Sequence, residues 1–554
     1  MSFVFAFVLL LSVLIFVHEL GHFLVAKACG VRVLKFSLGF GPPIGIGRFR
    51  MRWVRGPTEY VVAWFPLGGF VKMLGENPDE ADDPALRAGP DESLLAKPTW
   101  QKLAIVFAGP AMNLLLPVLV FMGSLAVGLP RPAPEIGMVE PHSPAAAAGL
   151  QPGDVVTAVA GEPVAWWDEF DDAVRRSPGQ TLRLTTLRDG SARTVELAVE
   201  PRASFDEFGR PAEVGFSGAA HRRLSALLGV RSADSPAHAA GVRSGDVVAA
   251  LGGAPIEDWE QFRKAYRDAE GEVALTLRAG LEEGAPERTV VVPALGSADA
   301  LGVVPANVLV DEVREGTPAH RGGLGTGDLI VAVDGEPVGS FTSFAETVRT
   351  SGGRPLRIAF ARDGVVSEVV IAPELEQVDA AGLGIEEPRY LVGITARAAG
   401  LNGSVALDRE RNPLVAAPRA VAMTVEVTGT FLRGLGKLIT GEVPRNQLAG
   451  PIGIAEIAGN AWQRGWETYL SILVLISINL GILNLLPIPI LDGGQALIFA
   501  VEGIKRAPLS LRTREIFQQI GFTVLVLLMG LAFWNDLSRH WSKLLEWLSS
   551  NAGS

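Results

Sequence analysis

Two histidines and a glutamate, His18, Glu19 and His22, stand inside VLIFVHELGHFLVA (13–26), within an apolar run that begins at Phe3. Imidazole and carboxylate groups are costly to withdraw from water, so their presence in a stretch long enough to cross a bilayer asks for a chemical reason. Residues four apart share one face of a helix, so both imidazoles can reach a single metal ion, with Glu19 beside the first of them. This is the H-E-x-x-H arrangement of zinc hydrolases. Such enzymes use three protein ligands and keep one position for water, so a third ligand has to be found elsewhere.

The remaining histidines, His142, His221, His238, His320 and His540, fall in stretches expected on the opposite side of the membrane from this site. Cys29, the single cysteine, lies about 10 Å along the helix from His22, too far to share a zinc ion. One cysteine also excludes disulfides within the chain and thiolate zinc clusters. A carboxylate remains. NLGILNLLPIPILDGGQ (479–495) carries two helix-breaking prolines, Pro487 and Pro489, then Asp492, Gly493 and Gly494. Prolines and glycines at membrane depth suit non-helical backbone lining a cavity, and Asp492 is placed to enter it from the same side as His18 and His22.

These residues need elements to hold them. The chain has 554 residues, is 48% hydrophobic and is too long and too apolar for one soluble domain. Its net charge of −11, without a long basic run, excludes nucleic acid as the principal partner. Apart from the His-Glu-His insertion, four stretches lack charge over bilayer length: 3–26, 103–129, 468–491 and 516–534. The first has neither a basic start nor a small-x-small cleavage site, and is expected to be a retained span rather than a signal peptide. Arg32, Lys35, Arg48, Arg50, Arg52, Arg55, Lys72, Lys97 and Lys102 crowd the first connection, and Lys505, Arg506, Arg512 and Arg514 the last. The positive-inside tendency puts both connections in the cytoplasm, with both termini and the region 130–467 outside it, and the His-Glu-His site toward the cytoplasmic end of its span.

The first connection contains GFGPPIGIGRFR and EYVVAWFPLGGFVKMLGE, whose alternation between glycines and prolines predicts a small sheet near the membrane. Residues 77–98 read as a linker. The outer region repeats itself three times: SPAAAAGLQPGDVV, SPAHAAGVRSGDVV and TPAHRGGLGTGDLI, at 143–156, 235–248 and 317–330. Each copy is followed by a Gly-x-Pro turn and an aromatic amphipathic stretch such as DWEQFRKAY, a pattern similar to bacterial PDZ domains, which capture an extended peptide as an added strand. Stretches 416–443 and 541–547 suit helices along the membrane interface, or equally helices packed against protein.

The expected fold is therefore a polytopic α-helical membrane protein with four transmembrane helices, a membrane-associated β-element and an extracytoplasmic array of PDZ-like α+β domains. The predicted order is a first span (1–29), cytoplasmic loop (30–102), second span (103–129) and three PDZ-like domains (130–205, 206–296, 297–376). An outer linker with an interfacial segment (377–467), third span carrying Asp492 (468–495), cytoplasmic link (496–515), fourth span (516–535) and tail (536–554) follow.

FVHELGHF, FSLGFGP, PLGGFVKMLGE, GPAMNLLL and NLLPIPILDGG, in this order around PDZ-like repeats, resemble the site-2 protease family, and within it the bacterial RseP-type zinc metalloproteases. The resemblance covers nearly the full length. It implies a Zn2+ ion held by His18, His22 and Asp492, with Glu19 as the catalytic base. It also implies that Asn484 holds substrate or stabilises the transition state, within a pattern that includes Pro487, Pro489 and Gly493. The implied reaction is cleavage of a single-span substrate's transmembrane helix in the cell inner membrane, after an upstream site-1-type protease has removed its outer domain. Anti-sigma factors and remnant signal peptides are the implied substrate types. The glycine-rich strands correspond to a membrane-reentrant β-element that presents unwound substrate. Two features depart from the pattern: three PDZ-like repeats stand where two are usual, and Gln495 stands where relatives often have histidine.

Two other classes compete. A catalytically silent membrane scaffold binding exposed C-termini would be expected to lack part of the His-Glu-His-Asp set, and a zinc transporter would spread polar residues along several spans; neither holds for this sequence.

Overall fold

The computed structural model describes residues 2–45, 49–75, 91–205, 211–281, 284–306, 308–378, 387–396, 400–401, 403–440, 450–507 and 509–552. Most of the expected linker at 77–98 lies outside them. The chain divides into two units, 1–128 with 379–386 and 409–554, and 129–378 with 387–408.

In the first unit, helix α1 (Ser2–Ala28) leads into strands β1 (Val33–Pro43), β2 (Arg52–Arg55) and β3 (Thr58–Met73), and then helix α2 (Thr99–Val127). Five further helices complete it: α3 (Pro413–Ile439), α4 (Pro451–Gln463), α5 (Trp466–Leu485), α6 (Asp492–Lys505) and α7 (Leu511–Ala552). Four segments, Phe3–Ala28, Thr99–Val127, Trp466–Leu485 and Arg512–Leu537, are long and apolar enough to cross a membrane. The helix α2 is the hub, packing against α1, α3, α5 and α6. Ala6, Leu10 and Leu14, spaced four apart on α1, are fully buried against Ala458, Ala461, Tyr469, Ile472 and Leu473. A second cluster, of Ala26, Val33, Phe36, Val71, Ile105 and Ala496 among others, joins the other end of α1 to the sheet, α2 and α6.

Two expectations are corrected here. The third span does not run to Asp492: α5 ends at Leu485, and Asp492 opens α6 after an irregular stretch. Pro487 and Pro489 cannot donate the backbone hydrogen bonds that would continue the helix. The tail at 536–554 is not a separate segment, because α7 continues to Ala552, with no proline and no glycine between Leu531 and Ala552 to stop it. The stretch from 416, expected along the interface or against protein, forms most of α3, which is packed on α2, with Ala416, Ala420 and Thr424 buried.

The sheet has a consequence for the site. The long strand β3 folds back so that β1 pairs with both of its halves: Phe36 is opposite Tyr60 on one side and Val71 on the other. Strand β2 covers the 58–61 half. Residues 69–73 are thus left as an edge with no strand on their outer side among the described residues. Near the bend the sheet exposes Phe40, Met51, Trp53, Trp64 and Phe65, apolar side chains suited to lipid rather than water.

In the second unit the three repeats become three modules of one topology. Each is a four-stranded antiparallel sheet, ordered 162–163, 155–159, 181–188, 191–198 in the first copy, with matching orders in the others. The Ser/Thr-Pro-Ala opening is a one-turn helix, capped by Ser143 on the Ala146 N–H and by Ser235 on the His238 N–H. The amphipathic stretches are the helices Trp167–Arg175, Trp259–Arg267 and Phe341–Thr350, which bury Phe170, Phe262 and Phe344. In each Gly-Asp turn the glycine (Gly153, Gly245, Gly327) has a positive φ, and the buried aspartate accepts the N–H three residues back. That carboxylate is also paired with an arginine from the sheet: Arg188 with Asp154, Arg288 with Asp246, Arg362 with Asp328.

Arg188→Leu leaves Asp154, fully buried, with only its backbone donor. The expected loss is about 3 kcal/mol in the first module, read as roughly hundredfold faster amide exchange in strand 155–159.

The module boundaries also differ from those expected. Each module closes with a strand that lies beyond its predicted end: Ala219–Ala220 pairs with Met138–Val139, Val303–Pro305 with Leu228–Val230, and Ile394–Ala396 with Val310–Val313. The closing strands supply the missing side of each core, as Val303 does for the second and Val392 beside the third. The modules also pack together: Leu227, Val247, Leu309 and Leu329 form an apolar cluster between the second and third. Between the first and third, the Ser340 hydroxyl donates to the buried Glu140 carboxylate at 2.6 Å.

Candidate metal centre

His18 and His22 occupy one face of α1, as their spacing requires, and both are buried. Asp492 reaches them from the first position of α6. Its Oδ2 is 3.1 Å from His18 Nε2 and its Oδ1 3.5 Å from His22 Nε2, while the two Nε2 atoms are 3.2 Å apart. The α6 start can be so placed because Gly493 and Gly494 carry no side chain: a Cβ would stand 2.3 Å from the Leu485 and Leu486 carbonyl oxygens, or from that of Ile488.

The donor set fits a zinc ion. His22 Nδ1 lies 2.8 Å from the Ile105 carbonyl oxygen, which can only accept, so the proton of the neutral ring sits on Nδ1 and Nε2 holds a lone pair. That lone pair faces a carboxylate and a second imidazole nitrogen, an arrangement repulsive unless a proton or a cation stands among them. His18, His22 and Asp492 offer ligand atoms within 4.8 Å of one another, the one such group of histidine, cysteine and acidic residues among the described residues. Two imidazoles and a carboxylate are a ligand set of catalytic zinc sites, and a carbonyl holding the far nitrogen is the usual outer support.

A cavity of about 460 Å³ opens on these atoms. Glu19, Asn484 and Gln495 line it with the three ligand residues, and the edge of the sheet from Gly68 to Met73 forms another wall. The five residues expected to bind metal or take part in chemistry are therefore brought to one cavity. Pro487 and Pro489 lie in the link between α5 and α6, with Pro489 buried and Pro487 exposed. Among the described residues no further histidine joins the cluster.

Two site features were not foreseen. Gly109 of α2 lies directly against the imidazoles: a Cβ there would stand 2.3 Å from His22 Nε2 and 2.9 Å from His18 Cε1. Gly109→Ala is expected to displace His22 and lower both zinc content and cleavage at least about tenfold, measured by metal analysis and peptidase assay on the same preparation. Asn113, also on α2, touches His18. Its signal in the sequence was a carboxamide in an otherwise apolar span.

The model of peptidase family M50 matches residues 6–528. Protease RseP of Yersinia pestis is 33% identical over 538 residues, covering 96% of this chain and 98% of that one. A Neisseria meningitidis protein named as a zinc metalloprotease is 31% identical over 541 residues, with the same coverage. Among solved structures, the PDZ domain of an SdrC-like protein from Listeria monocytogenes aligns at 20% identity with 15% of this chain and 85% of its own, with a TM-score of 0.12. On the family match and the full-length relatives, this chain belongs to peptidase family M50, the site-2 proteases, and is a membrane metalloendopeptidase.

Proposed function

We propose that the chain is a zinc-dependent intramembrane endopeptidase that hydrolyses a peptide bond within the transmembrane segment of single-span membrane proteins, after another protease has trimmed their outer domain. The observation that carries this reading is the position of the cluster: His18, His22 and Asp492 sit among bilayer-length apolar helices, in a cavity with the edge of the sheet as one wall. A helix protects its own peptide bonds, so the substrate must unwind. Pairing with the edge at 69–73 satisfies the freed backbone groups where water is scarce.

A zinc ion held by His18, His22 and Asp492 would supply a Lewis acid for the scissile carbonyl and the attacking water. Glu19 takes the proton of that water and passes it to the leaving amine. Asn484, which also lines the cavity, would donate its amide hydrogens to the oxygen on which charge develops. The proposed setting is the inner membrane, with the termini and PDZ-like modules outside and the site toward the cytoplasmic face, in keeping with the basic residues of the first and last connections. Anti-sigma factors or remnant signal peptides are the proposed substrate types.

The third module has a groove of about 270 Å³ between its helix and residues 391–395, lined by Phe341, Phe344, Val348 and Ile394, and this supports capture of an extended peptide there.

The test is reconstitution of the full chain in liposomes with a single-span substrate. A zinc chelator is expected to stop cleavage and added zinc to restore it. Cleavage indifferent to the chelator, in protein shown to be metal-free, refutes the proposal.

A further inference from the structure

We propose that Asn113 is a positioning residue of the metal centre, its Oδ1 accepting the Nδ1 proton of His18 so that His18 Nε2 is left as the ligand atom. This rests on the reading of His18 as a zinc ligand. Ile105, Gly109 and Asn113 are spaced four apart and form one stripe of α2. Ile105 holds His22 Nδ1, Gly109 gives the two rings room, and Asn113 meets His18 Nδ1.

Asn113 is fully buried, and its amide nitrogen lies 3.1 Å from His18 Nδ1. Its Oδ1 is buried without a hydrogen-bond partner among the described residues. The nitrogen and oxygen of a carboxamide are nearly the same size and are told apart only by their partners. Either orientation leaves one amide atom without a partner, so the choice falls to His18. With the nitrogen facing it, His18 accepts at Nδ1 and carries its proton on Nε2, which can then bond Asp492 but cannot bind metal. With Oδ1 facing it, Nδ1–H is the donor and the lone pair of Nε2 joins those of His22 and Asp492. Both ligand histidines are then held through Nδ1 by acceptors from the same stripe. The Ser477 hydroxyl donates to the Asn113 carbonyl oxygen at 2.7 Å, tying α5 to α2 at this level through backbone, independently of the amide.

The experiment is a titration of metal-free, detergent-solubilised full-length protein with Zn2+ against a chromophoric chelator. Wild type, Asn113→Asp and Asn113→Leu are compared. Wild type is expected to take one zinc, Asn113→Leu to bind about 10- to 100-fold more weakly, and Asn113→Asp, which can still accept, to stay near wild type. Wild type without a zinc site overturns the parent reading. Wild type with a site that Asn113→Leu leaves unchanged, or that Asn113→Asp weakens as much as Leu does, overturns the role of Asn113 alone. Should Asn113→Leu not fold, ¹⁵N-histidine NMR of zinc-loaded wild type decides: a protonated His18 Nδ1 is expected, and an unprotonated one overturns the proposal.

Discussion

Glu19→Gln is expected to slow cleavage of a single-span substrate by about 10²- to 10⁴-fold, the usual contribution of a positioned general base, while zinc content stays at the wild-type level. The two halves of this result have separate origins. The metal set is His18, His22 and Asp492, and Glu19 lines the cavity beside it without belonging to it. Glutamine matches glutamate in size, so the close approach of Gly69, where a Cβ would stand 3.1 Å from Glu19 Cγ, is preserved. What is removed is the ability to take a proton from water. Zinc lost together with activity would assign Glu19 to the metal's support, and full activity would remove it from the proposed mechanism.

Excision of the PDZ-like unit is expected to have the opposite sign. We propose that the modules keep substrates with bulky outer domains from the site, so their removal should raise cleavage of an untrimmed substrate to the rate of a trimmed one. A deletion stopping at residue 376, the expected end of the third module, would cut that module before its closing strand Ile394–Ala396. The structure offers a cleaner cut. Leu129–Pro132 pairs with Val405–Asp408, and the Ala133 N–H donates to the Ser404 carbonyl oxygen at 2.8 Å. Residues 134–403 can therefore be replaced by a two-residue Asn-Gly turn that closes a hairpin. Untrimmed substrate cleaved no faster by this variant than by wild type, while trimmed substrate is still cleaved, would sink this role of the modules.

Much of the site could be read from the sequence because polar groups inside apolar stretches are conspicuous. His18, Glu19 and His22 declare a helix face, and Asp492 stands out behind two prolines and before two glycines. The repeats were legible for a similar reason, since a Gly-Asp turn requires its glycine and buries its aspartate. What the sequence concealed depends on pairing at a distance. Arg188, Arg288 and Arg362 look like ordinary strand arginines until the sheet brings each to its aspartate. The closing strands are two or three residues long and carry no period of their own. The edge at 69–73 arises because β1 lies between both halves of β3, which alternation alone does not reveal. The end of α5 at Leu485 was missed because apolar composition continues past the point where the prolines end the helix. Gly109 and Asn113 sit in a motif that was visible, but their contact with the histidines follows from how closely α1 and α2 approach: a Cβ on Gly21 would stand 2.3 Å from the Ala108 carbonyl oxygen.

The proposed hydrolysis takes place within the span of the substrate. The most direct measurement is mass spectrometry of both products from a trimmed single-span substrate, cleaved by the full-length chain in liposomes. New termini inside the apolar segment of the substrate, formed by wild type and not by Glu19→Gln, are the expected result. Termini confined to the polar flanks outside that segment would contradict the account.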